Sequence, residues 1–154
     1  MANWSKQTAY SLGRLFALYE LVELASGSGG FHAAMLITLY REAASQPHRI
    51  FPLLGKRCEI HFTKFSRDRT GLQLLLQTKA AKIREAISKR GRGRLPASLT
   101  EDQQDVFLAG YCRQRRESFG APAGAEKSRT RRRGEPVRGS GGTSREDLLV
   151  SQMS

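Results

Sequence analysis

Apolar residues recur at steps of three and four through most of the first 119 positions, and nowhere there do they alternate with period two for long enough to demand a strand. That rhythm predicts helices. The first, from about Ser5 to Ala25, puts Ala9, Leu12, Leu15, Phe16, Tyr19 and Val22 on one side. Ser26-Gly27-Ser28-Gly29-Gly30 ends it, because a Gly/Ser cluster continues a helix only at a cost and gives the chain room to reverse. A second, antiparallel helix is expected from about Phe31 to Ala44, burying Phe31, Met35, Ile37, Leu39 and Tyr40.

Ser45-Gln46-Pro47 reads as a stop followed by a start, since proline suits a first helical turn. The third helix is placed at about Phe51 to Phe65, with an irregular entry at Pro52 and a stripe of Phe51, Leu54, Cys58, His61, Phe62 and Phe65. The fourth, about Thr70 to Lys89, turns Leu72, Leu75, Leu76, Ala80, Ile83 and Ile87 inward. Two overlapping cap signals, Ser98 with Glu101 and Thr100 with Gln103, open a fifth helix running to about Arg116. Gly13 and Gly110 sit inside the first and fifth helices, where glycine costs about 1 kcal/mol against alanine. Their presence points to a close crossing of those two helices. The expected fold is all-α, a bundle of about five helices over residues 1–119.

From Gly120 onward the composition turns to Gly, Ser, Arg, Glu and Pro, which predicts a disordered basic tail over residues 120–154. Its Leu148, Leu149 and Val150 offer at most a short helical turn on a partner.

Charge changes the picture more than composition does. The 154 residues hold 26 Lys and Arg against 14 Asp and Glu, a formal charge of +12. Thirteen of the cations and only three of the acids fall within residues 49–94, whereas residues 1–48 are neutral and 95–119 carry one net negative charge. A merely soluble surface mixes both signs; an excess of this size makes a field that attracts phosphate. Lys56, Arg57, Lys64, Arg67, Arg69, Lys79, Lys82, Lys89, Arg90, Arg92 and Arg94 are the candidate nucleic-acid contacts. With no recognition helix evident, they are expected to meet the backbone rather than the bases. Trp4, ahead of the first helix, is the freer aromatic, suited to packing or to a partner contact, while Phe62 and Phe65 read as core.

Other chemistry finds little support. Cys58 and Cys112 form no CxxC pair, and a domain of this length buries a core without disulfides or metal, so reduced thiols and a cytoplasmic location are expected. The first residues lack the apolar run of a secretion signal, and no segment has the ~18 apolar residues of a membrane span. No P-loop, GxGxxG or HExxH pattern occurs. Cys58 and His61, with His48 nearby, make half a metal site on an apolar stripe, where a free cysteine packs as a small hydrophobe. Glu20 and Glu23, like Glu101, Asp102 and Asp105, are read as solvated faces and helix caps. No catalytic residue, metal or cofactor is expected.

Tyr10-x-Leu12-Gly13-Arg14-Leu15-Phe16-Ala17, Ala43-Ala44-Ser45-x-Pro47 with Phe51-Pro52, and Leu95-Pro96-x-x-Leu99 followed by Gln104, Phe107, Gly110-Tyr111 and Gln114-Arg115 carry a resemblance. Over about residues 8 to 117 their order is similar to that of the C-terminal helical domain of the large subunit of type I-C CRISPR Cascade. In that family the domain is also made as a separate small subunit from an internal start, and a chain opening just ahead of the first motif resembles that product. Tyr19, Cys112, Arg113 and the basic tail depart from the family pattern. The resemblance implies a non-catalytic, RNA-guided antiviral defence subunit. Its implied partners are the backbone filament, the large subunit, further copies of itself, and the R-loop of crRNA and target DNA, chiefly the displaced strand. Faces of the first and fifth helices would remain for neighbouring subunits. PAM reading is not implied, since the matched segment excludes the portion that performs it. Two other readings are an assembly adaptor meeting only protein and crRNA backbone, and a free-standing basic nucleic-acid binder.

Overall fold

Helix α1 (Lys6–Glu23) is buried on nearly every side, from Thr8 and Ala9 through Val22 and Glu23, and the other helices are arranged around it. A helix without a solvated face belongs in the middle of a bundle. The computed structural model describes residues 4–119 and contains five α-helices, with no strand among the described residues. The expected all-α bundle is the observed one; the tail and its Leu148–Val150 segment lie outside the described residues.

Ser5 caps α1 by accepting the Thr8 N–H at 3.2 Å. The helix runs into a π-helical turn, Leu24–Ser28, where Gly27 and Gly29 take φ of 85° and 81° and reverse the chain. Helix α2 spans Ala33–Ser45. Helix α3 spans Pro47–Phe62, beginning and ending earlier than the apolar stripe suggests. Pro47 occupies its first position, where a missing N–H costs nothing. The opening turn is tied to the segment before the last helix: His48 N–H donates to the Pro96 carbonyl at 3.0 Å and its Nδ1 to that of Ala97 at 2.9 Å. Pro52 lies inside the helix, on its exposed side.

A 3₁₀ turn, Arg67–Arg69, leads into α4 (Thr70–Gly91), and α5 spans Glu101–Phe119. Of the two cap signals ahead of α5, the Thr100–Gln103 pair is the one used. Gln103 N–H donates to Thr100 Oγ1 at 3.3 Å and Thr100 N–H to Gln103 Oε1 at 3.0 Å.

Helix α5 lies along α1, and Phe16, Tyr40, Phe107 and Tyr111 make an aromatic centre with ring centroids 5.3 to 6.2 Å apart. Such pairs each add about 0.5–1.5 kcal/mol beyond the area they bury. Helices α3 and α4 flank α1 and barely touch each other. Three expected core positions are exposed instead: Ile37 (59%), Leu72 (37%) and Leu75 (50%). The first buried residue of α4 is Leu76, so the opening turns of that helix stand clear of α1. Periodicity marks a face, but it cannot say where the supporting helix ends.

Candidate nucleic-acid interface

The cations of residues 49–94 do not form one track. Two of them, Arg57 and Arg69, gather where α1 ends, beside a carboxylate that the sequence reading left in solvent. Glu23 is only 2% exposed and binds the Arg57 guanidinium at both oxygens, through Nε and through Nη2 at 3.3 Å. His61 Nε2 donates to the same carboxylate at 3.2 Å, while its Nδ1 faces the hydroxyls of Ser26 and Ser28 at 3.0 and 3.1 Å. Burial pushes the His61 pKa down, Glu23 opposes that, and Lys64 and Arg57 reinforce the lowering. Arg69 donates to the Ala25 carbonyl at 2.9 Å. Cations at the C-terminal end of a helix meet its unpaired carbonyls and the negative end of its dipole. Arg57 and Arg69 thus serve the fold, and Glu23 is a buried ion-pair partner rather than a solvated acid. Glu20 is likewise buried, accepting from Tyr111 Oη at 2.8 Å.

The remaining candidates separate further. Lys64 stands exposed beside His61, and Arg67 is exposed in the 3₁₀ turn. Lys79 lies toward α5, where Arg113 foremost, with Arg14 and Lys79, holds the Glu117 carboxyl below its ordinary range. Lys82 is exposed, and Lys89 pairs with Glu85 at 2.7 Å in an exposed one-turn contact of little energetic weight.

Lys56, Arg90, Arg92 and Arg94 are brought together, with one residue the sequence reading missed. Because α3 and α4 are splayed over α1, a groove of about 300 Å³ opens between them. Leu15 and Tyr19 form its floor, Lys56 and Glu59 of α3 one wall, Arg84 of α4 the other, and Arg94 its end. A smaller depression of about 240 Å³ toward Phe62 and Gln77 shares Tyr19, Glu59 and Arg84 with this groove. In the other direction a depression of about 700 Å³ is lined by Trp4, Ser5, Thr8, Arg90, Gly91, Arg92 and the same Arg94. Arg84 and Arg94 therefore join three depressions in series, with Glu59 the one acid along them.

Arg84 was legible in principle. It lies four residues after Ala80 and three before Ile87, both buried, so it shares their side of the helix instead of the outer face. Tyr19 beneath it has its pKa pushed up to about 12 by burial, with Arg84 opposing. Burial likewise pushes the Cys58 thiol to about 12, so it stays protonated and packs in the core. Among the described residues no three His, Cys, Asp or Glu side chains converge as a metal site, and no helix is long and apolar enough to cross a membrane.

The α1–α5 crossing at Gly13 and Gly110 and the loop entering α5 are built from the segments that carry the Cascade resemblance. A family model described as CRISPR-associated protein (Cas_Csd1) matches residues 1–119. The chain belongs to this CRISPR-associated family. Comparison with curated proteins finds no match. The Cas_Csd1 match covers all five helices and all three joined depressions. The structure corrects one expectation about surfaces: α1 is buried on nearly every side from Thr8 to Glu23 and leaves little of itself to a neighbouring subunit. The exposed apolar residues lie elsewhere, with Ile37 of α2 and Leu108 of α5 lining a groove of about 440 Å³.

Proposed function

We propose that this Cas_Csd1 family chain is the small subunit of a type I-C Cascade effector complex. It is a non-catalytic, cytoplasmic component that supports the displaced DNA strand of the R-loop through sequence-independent phosphate contacts. The observation that carries this reading is the series of depressions joined by Arg84 and Arg94, with Lys56, Arg90 and Arg92 along it and a single acid. Exchange of one duplex for another during R-loop formation is nearly balanced, so modest contacts to the released strand tip it. The groove between α2 and α5, with Ile37 and Leu108 exposed, supports a role for the opposite requirement, docking on neighbouring protein subunits.

The test is R-loop formation by complexes assembled with Lys56→Glu, Arg84→Glu and Arg94→Glu combined, across a salt series, after circular dichroism shows unchanged helicity. Weaker R-loop formation with a shallower salt dependence is expected. Unchanged target binding at normal stoichiometry overturns the strand-support reading. Crosslinks to protein and crRNA with none to the displaced strand would establish the assembly adaptor in its place.

A further inference from the structure

Phosphate contact explains the arginines of the series but not the aromatic residue at its end. The Trp4 indole is held from two sides. The edge of its six-membered ring rests on Gly91, the last residue of α4, where an added Cβ would come within 2.5 Å of Cη2. Its backbone carbonyl accepts from Gln103 Nε2 at 2.6 Å, and Gln103 is itself fixed by the capping pair with Thr100. Trp4 is only half-buried, and the depression it lines carries Arg90, Arg92 and Arg94 with no acid. Arg90 is drawn back by its bond to Ser11 Oγ at 3.1 Å. Arg92 and Arg94 have no ion-pair partner among the described residues. At about 700 Å³ the space falls within the ~300–1,000 Å³ of ordinary ligand sites.

We propose that this depression is a nucleotide subsite: one unstacked base of a single DNA strand lies against Trp4 while its flanking phosphates meet Arg92 and Arg94. A bare anion gains nothing from an indole, whereas a base stacks on it whatever its identity, and arginine-flanked aromatics are how single strands are held without sequence readout. The inference rests on the strand-support reading and adds to it a contact that is not electrostatic. The charged groove aligns the strand, and the stack at Trp4 anchors it.

Trp4 is the chain's single tryptophan, so emission excited to the red of tyrosine absorption reports on this depression alone. The full chain is titrated with oligothymidylate and with an abasic deoxyribose-phosphate strand of equal length. Oligothymidylate is expected to quench the emission and bind about tenfold tighter, a stacking contribution of the usual size. The abasic strand is expected to bind with the same salt dependence and little quenching. Gly91→Ala keeps the tryptophan and every charge while forcing the ring edge aside. It should lose the quench and fall to abasic affinity at an unchanged salt slope. Trp4→Ala, followed by anisotropy of a labelled strand, should show the same tenfold loss.

Equal quenching by both strands overturns the subsite, as does a Gly91→Ala variant that quenches and binds like the parent. If quenching fails while the groove charge variants still weaken R-loops, only the subsite is wrong. If quenching holds while those variants leave R-loops unchanged, the subsite stands and the strand-support reading falls.

Discussion

The backbone carbonyl of Phe107 in α5 fills the space that a side chain on Gly13 of α1 would need, and the carbonyl of Tyr10 does the same at Gly110. The two helices meet backbone to backbone at reciprocal glycines, which brings Phe16 to within 6.2 Å of Phe107 and 5.7 Å of Tyr111, ring centre to ring centre. A carbonyl in a helix cannot rotate away as a side chain can. The gain of about 1 kcal/mol in helix propensity from Gly13→Ala is therefore outweighed by overpacking, typically about 1–3 kcal/mol and more against rigid backbone. Urea unfolding should show a net loss for Gly13→Ala and for Gly110→Ala. The double variant should lose less than the sum, because the first methyl already separates the helices.

Arg57 belongs to stability before it belongs to any partner. Removing it leaves the Glu23 carboxylate buried with only His61 beside it, and also removes the guanidinium lying 5.3 Å from the centre of the Phe31 ring. Breaking a fully buried pair costs about 3–5 kcal/mol. The Arg57 side chain is 43% exposed, so water screens part of this, and Arg57→Ala is expected to lose about 1–3 kcal/mol in urea unfolding. Arg57→Lys keeps the charge without the two-pronged geometry and should recover part of the loss. An Arg57→Glu substitution aimed at nucleic-acid binding would set two carboxylates together and destabilise the fold, so its effect on binding could not be read as a lost contact.

The parts of this architecture that were legible in the sequence are those with a local physical cause. Glycine in mid-helix is rewarded only by close approach, so Gly13 and Gly110 announced the α1–α5 crossing. A capping box spans only four residues, so two overlapping ones bracketed the start of α5, and the structure uses Thr100 with Gln103. Glu20 and Glu23 were misread because a carboxylate in a helical pattern looks like a solvated face until its partner is known. Those partners, Tyr111 and Arg57, come from other helices. The candidate site suffered in the same way. Lys56, Arg90, Arg92 and Arg94 were marked by charge alone, but dividing the outer cations into sectors required knowing that α1 is central. Arg84 is absent from that set, although its spacing from Ala80 and Ile87 puts it beside the buried side of α4 where it can line the groove.

Acid should weaken the fold through His61. The ring is packed against Glu23 from α1, Ser26 and Ser28 from the π-helical turn, and Arg57 and Lys64 from its own side, and its pKa is lowered chiefly by burial. In the unfolded chain the ring takes up its proton first, near the ordinary imidazole value of 6.5. Below that pH the unfolded state binds more protons than the folded one, so stability rises with pH through this window and is lost as pH falls. The slope from one such group is at most about 1.4 kcal/mol per pH unit. Urea midpoints measured from pH 7.5 down to 5 should fall for the parent, and His61→Gln should flatten that fall. Asp68, Glu85 and Glu117, whose pKa values are lowered from 3.8, 4.5 and 4.5 by their hydrogen bonds, act only at lower pH and do not confuse the reading.

Arg92 offers the sharpest separation of stability from function. It ends α4 in the left-handed conformation, φ 51° and ψ 45°, with its N–H donating to the Ser88 carbonyl. Glycine is the usual occupant of such a position, and an L residue there costs about 1–2 kcal/mol. Retaining an arginine in a strained cap is understandable if its side chain, beside Arg94 and Trp4, meets a phosphate. Arg92→Gly relieves the strain, although glycine's freedom in the unfolded chain returns some of the gain. It should therefore raise the urea midpoint or leave it unchanged, while weakening binding to a single DNA strand and lowering the salt slope by about 0.7, the share of one phosphate contact. A variant equally stable and equally tight, with the parent's slope, would show that Arg92 contacts no phosphate.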